Sequence, residues 1–247
     1  MIMRRLGEAI AAQNWFVVII EIMVVVVGIF IGLQVDDWNE SRKDRIDEQV
    51  YLQRLHEDVL LAEQLSSRVR ERRLQRHLDL MNLLDVVFKR DQRETLTEEE
   101  CAAIAWSNAF NINVPSIASL KELTDTGRLE IIRDTNIRKA LVELQQTREL
   151  LTYVITEKTN SKSFVHLPSL FPELIQIEAY FDPAMGEVRA LSKCNFPGMR
   201  ASRSFLNQFS TNVDGYDAYI RDGLAPWISQ FSLVHQQLDE ALSVIHE

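Results

Sequence analysis

Glycine, proline and cysteine are all scarce here: the 247 residues hold 8 Gly, 6 Pro and 2 Cys. No Gly or Pro occurs between Gly32 and Pro115, so a helix that enters this stretch meets no residue that obliges it to stop. Nothing alternates at period two for long and no internal repeat is visible, which argues against a β-sandwich or a solenoid. Two cysteines exclude a disulfide-dense scaffold and any cysteine-built zinc site. The five histidines, His56, His77, His166, His235 and His246, show no spacing of three to five residues to one another. P-loop, Gly-rich dinucleotide turn and nucleophile elbow are also missing. The expectation is no catalytic role, no cofactor and no metal. A formal charge of −9 makes nucleic acid a poor partner.

What the chain does have is one long apolar run, Trp15 to Val35, with a single carboxylate, Glu21, inside it. At about 1.5 Å per helical residue its 21 positions reach roughly 31 Å, the thickness of a bilayer's hydrocarbon core. Trp15 and Trp38 stand where interfacial aromatics belong. A signal peptide has a shorter apolar core followed by a small-residue cleavage site, whereas here Asp36-Asp37-Trp38-Asn39-Glu40 comes soon after the run. An uncleaved anchor is expected, and no second run approaches this length. The lipid bilayer is thus the first partner.

Charges up to Val35 cancel (Arg4 and Arg5 against Glu8 and Glu21), so the whole excess negative charge falls after the run. Lys and Arg near the span number two before it and four after it, namely Arg42, Lys43, Arg45 and Arg54, which leans towards a cytoplasmic domain. Against this, the short tail concentrates both arginines and the amine, the first charges after the span are acidic, and long domains translocate largely regardless of charge. The expected topology is a cytoplasmic N-terminus in a bacterial inner membrane with a periplasmic domain.

The expected organisation is a tail at 1–14, a transmembrane helix at 15–35, a long juxtamembrane helical segment at 36–95 and a helical domain at 96–247. The class is all-α, the span running on into the juxtamembrane helix. In that segment Ile46, Val50, Leu52, Leu55, Val59, Ala62 and Val69 have helical spacing. Leu74, Leu78, Met81, Leu84 and Phe88 form a second set out of phase with the first, so a kink, stutter or break is expected near Arg70 to Arg73. Thr97 and Glu100 make a capping box for a helix over Cys101 to Asn108. A helix from Ser116 should end at Gly127, and Asp134 should cap a long one through Ile155. Residues 158–203, with four prolines, read as loop with at most a helix from Leu170 to Phe181. Helices over 204–211 and 216–246 close the chain, the last interrupted at Gly223 and Pro226.

Ile20 to Lys43, followed by Tyr51-Leu52 and Arg54-Leu55-x-x-Asp58, resembles a bacterial family of single-span membrane proteins of unknown function. Ser119-Leu120-x-x-Leu123-x-x-x-Gly127-x-Leu129-x-x-Ile132-x-Asp134-x-x-Ile137-Arg138 resembles the same family's second signature. The resemblance implies an α-helical extracytoplasmic domain on an N-terminal anchor and assigns no chemistry. The tail of this chain is less basic than the family's.

Three groups of residues are candidate sites. Gly28 and Gly32 lie seven and eleven positions after Glu21, about 20° to either side of one line on a helix, with Val25 and Val35 flanking. A carboxyl group and a Gly-x-x-x-Gly pair on one stripe suggest a helix contact, with a second copy or a multi-span partner. Glu21 there either hydrogen-bonds within that contact or serves an ion- or proton-coupled accessory subunit. Cys101 and Cys194 are either a disulfide or two buried thiols. Arg68, Arg70, Arg72, Arg73 and Arg76 read as a solvated face paired with Glu63, Glu71 and Asp79 rather than as an anion site. A ligand-sensing role would need a deep pocket among the helices after Ser116.

Overall fold

The computed structural model describes residues 15–88, 93–110 and 114–244, with backbone alone at 15–18 and 21. The tail expected at 1–14 lies outside the described residues. In chain order the elements are α1 (Trp15–Val87), α2 (Glu98–Ala105), α3 (Ala118–Asp125), a 3₁₀ turn (Leu129–Ile131), α4 (Thr135–Asn160), α5 (Leu167–Leu170), β1 (Ile175–Asp182), β2 (Glu187–Cys194), α6 (Phe196–Ala201), α7 (Arg203–Tyr219), a π segment (Ile220–Leu224) and α8 (Ala225–Leu242). The class is helical, as expected, with one antiparallel hairpin added. The helical segment expected to reach residue 95 ends at Val87, and residues 93–97 are not helical.

The chain divides into two compact units between Tyr51 and Leu52. In the first, every described side chain from Ile19 to Ile46 is exposed. Among the described residues, α1 is the one helix long and apolar enough to cross a membrane, and its apolar window has no buried share.

In the second unit, α1 continues without the expected break. Its inward line falls at Leu52, Leu55, Val59, Ala62, Ser66, Val69, Arg73, Arg76, Leu80, Leu83 and Val87, alternating steps of three and four. Ten of these steps keep one register, but Ser66, Arg73 and Arg76 hold its middle. A polar interruption therefore mimics a phase change. Leu78, taken with the second apolar set, is exposed, as are Ile46 and Val50.

The core beneath that line is aromatic. Phe205, Phe209, Tyr216 and Tyr219 of α7 and Trp227 and Phe231 of α8 are buried, and the ring of Phe110 meets both Tyr216 and Tyr219 at 5.9 Å. Each such side chain contributes a few kcal/mol by burial, which accounts for the bundle's cohesion with few glycine-mediated contacts. Gly215 permits a close approach: a Cβ there would lie 2.1 Å from the Phe164 ring. Helix ends follow local chemistry. Thr97 and Glu100 form a reciprocal capping box, and Asp134 accepts from the amides of Asn136 and Ile137. After α3, Gly127 adopts φ +68°, a left-handed position that Cβ-bearing residues disfavour. At Pro226 the missing N–H and the ring's bulk prevent a regular helix, and the chain widens into the π segment instead of stopping.

The hairpin takes the place of the helix expected from Leu170 to Phe181; the single turn α5 lies before that stretch and shares only Leu170 with it. Ile175, Ile177, Ala179 and Phe181 alternate with Gln176, Glu178, Tyr180 and Asp182, a period of two that the four nearby prolines obscure. Its turn closes through Gly186, at φ +68°, whose amide donates to Asp182 O at 2.8 Å. Ile175 and Ser192 are buried at its base, while Phe181, Met185 and Val188 are exposed at its tip.

Candidate functional site

On α1, Val25, Gly28, Gly32 and Val35 follow helical spacing along one face, and Val25 and Val35 are about 60% exposed. A Cβ built on Gly28 or Gly32 meets nothing within 4 Å. Trp38 is exposed, whereas the side chains of Glu21 and Trp15 lie outside the described residues. This stripe is therefore smooth, apolar and without a packing partner among the described residues.

The second place of interest is where α1 meets the start of α3. Asp58 Oδ2 of α1 accepts from the Ser119 amide at 2.8 Å and from Ser119 Oγ at 2.7 Å. Arg54 Nη2 donates to Glu122 Oε2 at 2.6 Å one turn away. Ile117, the residue at the N-cap position of α3, makes no side-chain cap bond. Asp58 supplies that cap from another element and adds negative charge at the helix's positive end. Further along, His77 Nε2 pairs with Asp217 Oδ1 at 2.9 Å, and Arg200 donates through Nε to Val86 O at 3.0 Å. Polar contacts thus fix α1 at both ends of its packed length.

The arginine group does not form one solvated face. Arg68 and Arg72 are exposed, and Arg70 approaches Glu63 at 3.7 Å. Arg73 is buried at 8% exposure, and its carbonyl accepts from the Tyr216 hydroxyl at 3.4 Å. Burial, helped by the nearby Arg73 charge, pushes the Arg76 pKa below its ordinary value. The misreading has a clear source: two of the five arginines occupy inward heptad positions.

Cys101 at the start of α2 and Cys194 at the end of β2 are joined as a disulfide, their Cα atoms 5.8 Å apart. Because an isolated two-stranded hairpin is marginal in water, a covalent tie at its base adds to the burial of Ile175 and Ser192 in holding the arm to the bundle.

After Ser116 there is a cleft of about 200 Å³ between α3, α4 and α8, floored by Leu120, Leu144, Trp227 and Phe231. Its rim is polar but engaged: Lys121 pairs with Asp125 at 2.5 Å and Arg148 Nε donates to Pro115 O at 3.1 Å. Sequence spacing gave no sign of one further cluster, His56, His235 and Asp239, because it joins α1 to α8 across the fold.

Compared with protein-family models, curated proteins and solved structures, the chain matches none of them.

Proposed function

We propose that this is a membrane-anchored interaction protein of the single-span family that its two signature stretches resemble. In this reading the apolar run of α1 crosses a bacterial inner membrane with its N-terminus in the cytoplasm. The helical unit after Leu52 is presented in the periplasm. The span associates with a second copy or with a multi-span protein through Glu21, Val25, Gly28, Gly32 and Val35. The observation that carries the reading is the open surface at both glycines, where nothing lies within 4 Å of an added Cβ. In lipid, association depends on close backbone approach, and a face with small residues at i and i+4 provides it.

Cysteine crosslinking along the span in native membranes tests this. Crosslinks should peak at Val25, Gly28 and Gly32, and Gly28→Ile with Gly32→Ile should dissolve the complex. Peaks at Met23 and Phe30 would place the contact on the opposite face and overturn the assignment.

A second reading, ligand sensing, is favoured by the cleft floored by Trp227. Its volume of about 200 Å³ is below the roughly 300 to 1,000 Å³ usual for small-molecule sites, so the interaction reading ranks first.

A further inference from the structure

His56 and Glu63 stand seven residues apart on α1, and His235 and Asp239 four apart on α8, so each pair lies on one helix face and the two faces oppose each other. His56 Nε2 is 2.8 Å from Asp239 Oδ1, and His235 Nε2 is 3.6 Å from the same oxygen. One ligand atom from each of these three residues fits within 4.8 Å of the other two. Four ligands around a tetrahedral ion with bonds of about 2.0 to 2.1 Å sit roughly 3.3 Å apart, so small side-chain shifts would suffice. His56 is buried, and the His235 and Asp239 side chains are less than one-fifth exposed.

We propose that His56, His235 and Asp239 bind a divalent first-row transition ion that clips α1 to α8, with Glu63 as the supporting carboxylate. Glu63 Oε2 lies 3.2 Å from His235 Nδ1, close enough to accept a proton carried there. With the proton on Nδ1, Nε2 is the basic nitrogen on the side facing Asp239 and His56. A carboxylate on the far nitrogen of a histidine is the arrangement that orients metal-bound imidazoles and raises their basicity. Electrostatics agree. Asp239 and Glu63 bring two carboxylates to the cluster, and Arg70 lies 3.7 Å from the second of them. Two imidazoles and a carboxylate suit Zn²⁺, Fe²⁺ and their neighbours over Mg²⁺ or Ca²⁺, which prefer all-oxygen sites.

Calorimetric titration of chelator-treated full-length protein in detergent with ZnCl₂ tests the site, with Co²⁺ absorption reporting on its ligands. One ion per chain is expected at low-micromolar affinity or tighter. His235→Gln and Asp239→Asn should each weaken binding at least tenfold, and Glu63→Gln should weaken it about 10- to 100-fold. His166→Gln, against the Trp106 ring at 5.0 Å, should change nothing. Absence of saturable Zn²⁺ binding to the unaltered chain would overturn the proposal. So would equal binding after His235→Gln combined with Asp239→Asn. If that double variant lost its far-UV helical signal, Glu63→Gln decides, and unchanged affinity there would equally exclude the site.

Discussion

Asp58 caps a helix to which it does not belong: its Oδ2 accepts both the backbone N–H and the hydroxyl of Ser119, 61 positions later in the chain. Removing the carboxylate leaves the first turn of α3 without a side-chain acceptor, since Ile117 supplies none. Asp58→Ala should cost about 1 to 2 kcal/mol in urea unfolding of the detergent-solubilised chain. Ser119→Ala should cost less, and the pair should couple by at least about 0.5 kcal/mol in a double-mutant cycle. Strict additivity would show that the contact stabilises nothing.

Tyr219 gives a pH-dependent expectation. Burial raises its pKa above the usual tyrosine value, with Tyr216 adding to the rise, and burial raises Tyr216 in the same direction. Below about pH 10 both rings are neutral whether folded or unfolded, so stability is fully present there. As pH climbs past 10 the unfolded chain loses phenolic protons first, and stability falls progressively towards the raised folded values. Tyr219 Oη is buried without a hydrogen bond among the described residues, so Tyr219→Phe should be neutral or stabilising by up to about 1 kcal/mol at pH 7. The same variant should flatten the alkaline limb. A steep loss of stability at pH 7 would mean that the hydroxyl has a partner.

The disulfide closes a loop of 93 positions, which in the chain-entropy picture is worth about 4 to 5 kcal/mol. Measured effects are often smaller, so Cys101→Ala with Cys194→Ala should lower unfolding stability by about 2 to 4 kcal/mol. Hydrogen exchange should rise most in β1 and β2, whose outer halves have little other support. Two alkylated thiols in protein taken from intact cells under rapid thiol blocking would show that the bond does not form there.

Much of the architecture was readable from local chemistry. Thr97 with Glu100, Gly127 and Asp134 each carry a physical requirement that a short stretch of sequence displays, and the structure uses them at those positions. Two readings failed because the decisive contacts are long-range. Arg73 and Arg76 look like solvated charges until α7 brings Tyr216 over them, and only then does the heptad line through Ser66 become continuous. The hairpin failed differently. The alternation runs over eight residues in β1 but breaks at Ala190-Leu191 and Ser192-Lys193 in β2, and Pro183 and Gly186 between the strands read as loop rather than as the turn they form. Of the candidate site, the spacing of Val25, Gly28, Gly32 and Val35 follows from one uninterrupted helix. His235 and Asp239 stand four apart on one helix, but nothing in the sequence marks them as a pair, and His56 joins them only through the packing of α1 on α8.

Glu21 separates the proposed association from ion coupling. In the proposed span, a carboxyl group deep in hydrocarbon would be costly when charged and would cost several kcal/mol if left without a hydrogen-bond partner, so association should supply that partner. Glu21→Gln keeps the size and the hydrogen-bonding capacity and removes the titratable proton. It should therefore leave the complex essentially intact, as judged by native mass or blue-native electrophoresis. Glu21→Leu removes the hydrogen bond too and should weaken association by roughly 1 kcal/mol per contact, about a fivefold change in the dimerisation constant. Unchanged association in the Leu variant would exclude Glu21 from the interface while leaving the glycine stripe to be judged by its own substitutions. A Gln variant that assembles normally but loses the cellular phenotype of the unaltered protein would shift the assignment to an ion-coupled subunit, because the proton is the one property that exchange withdraws.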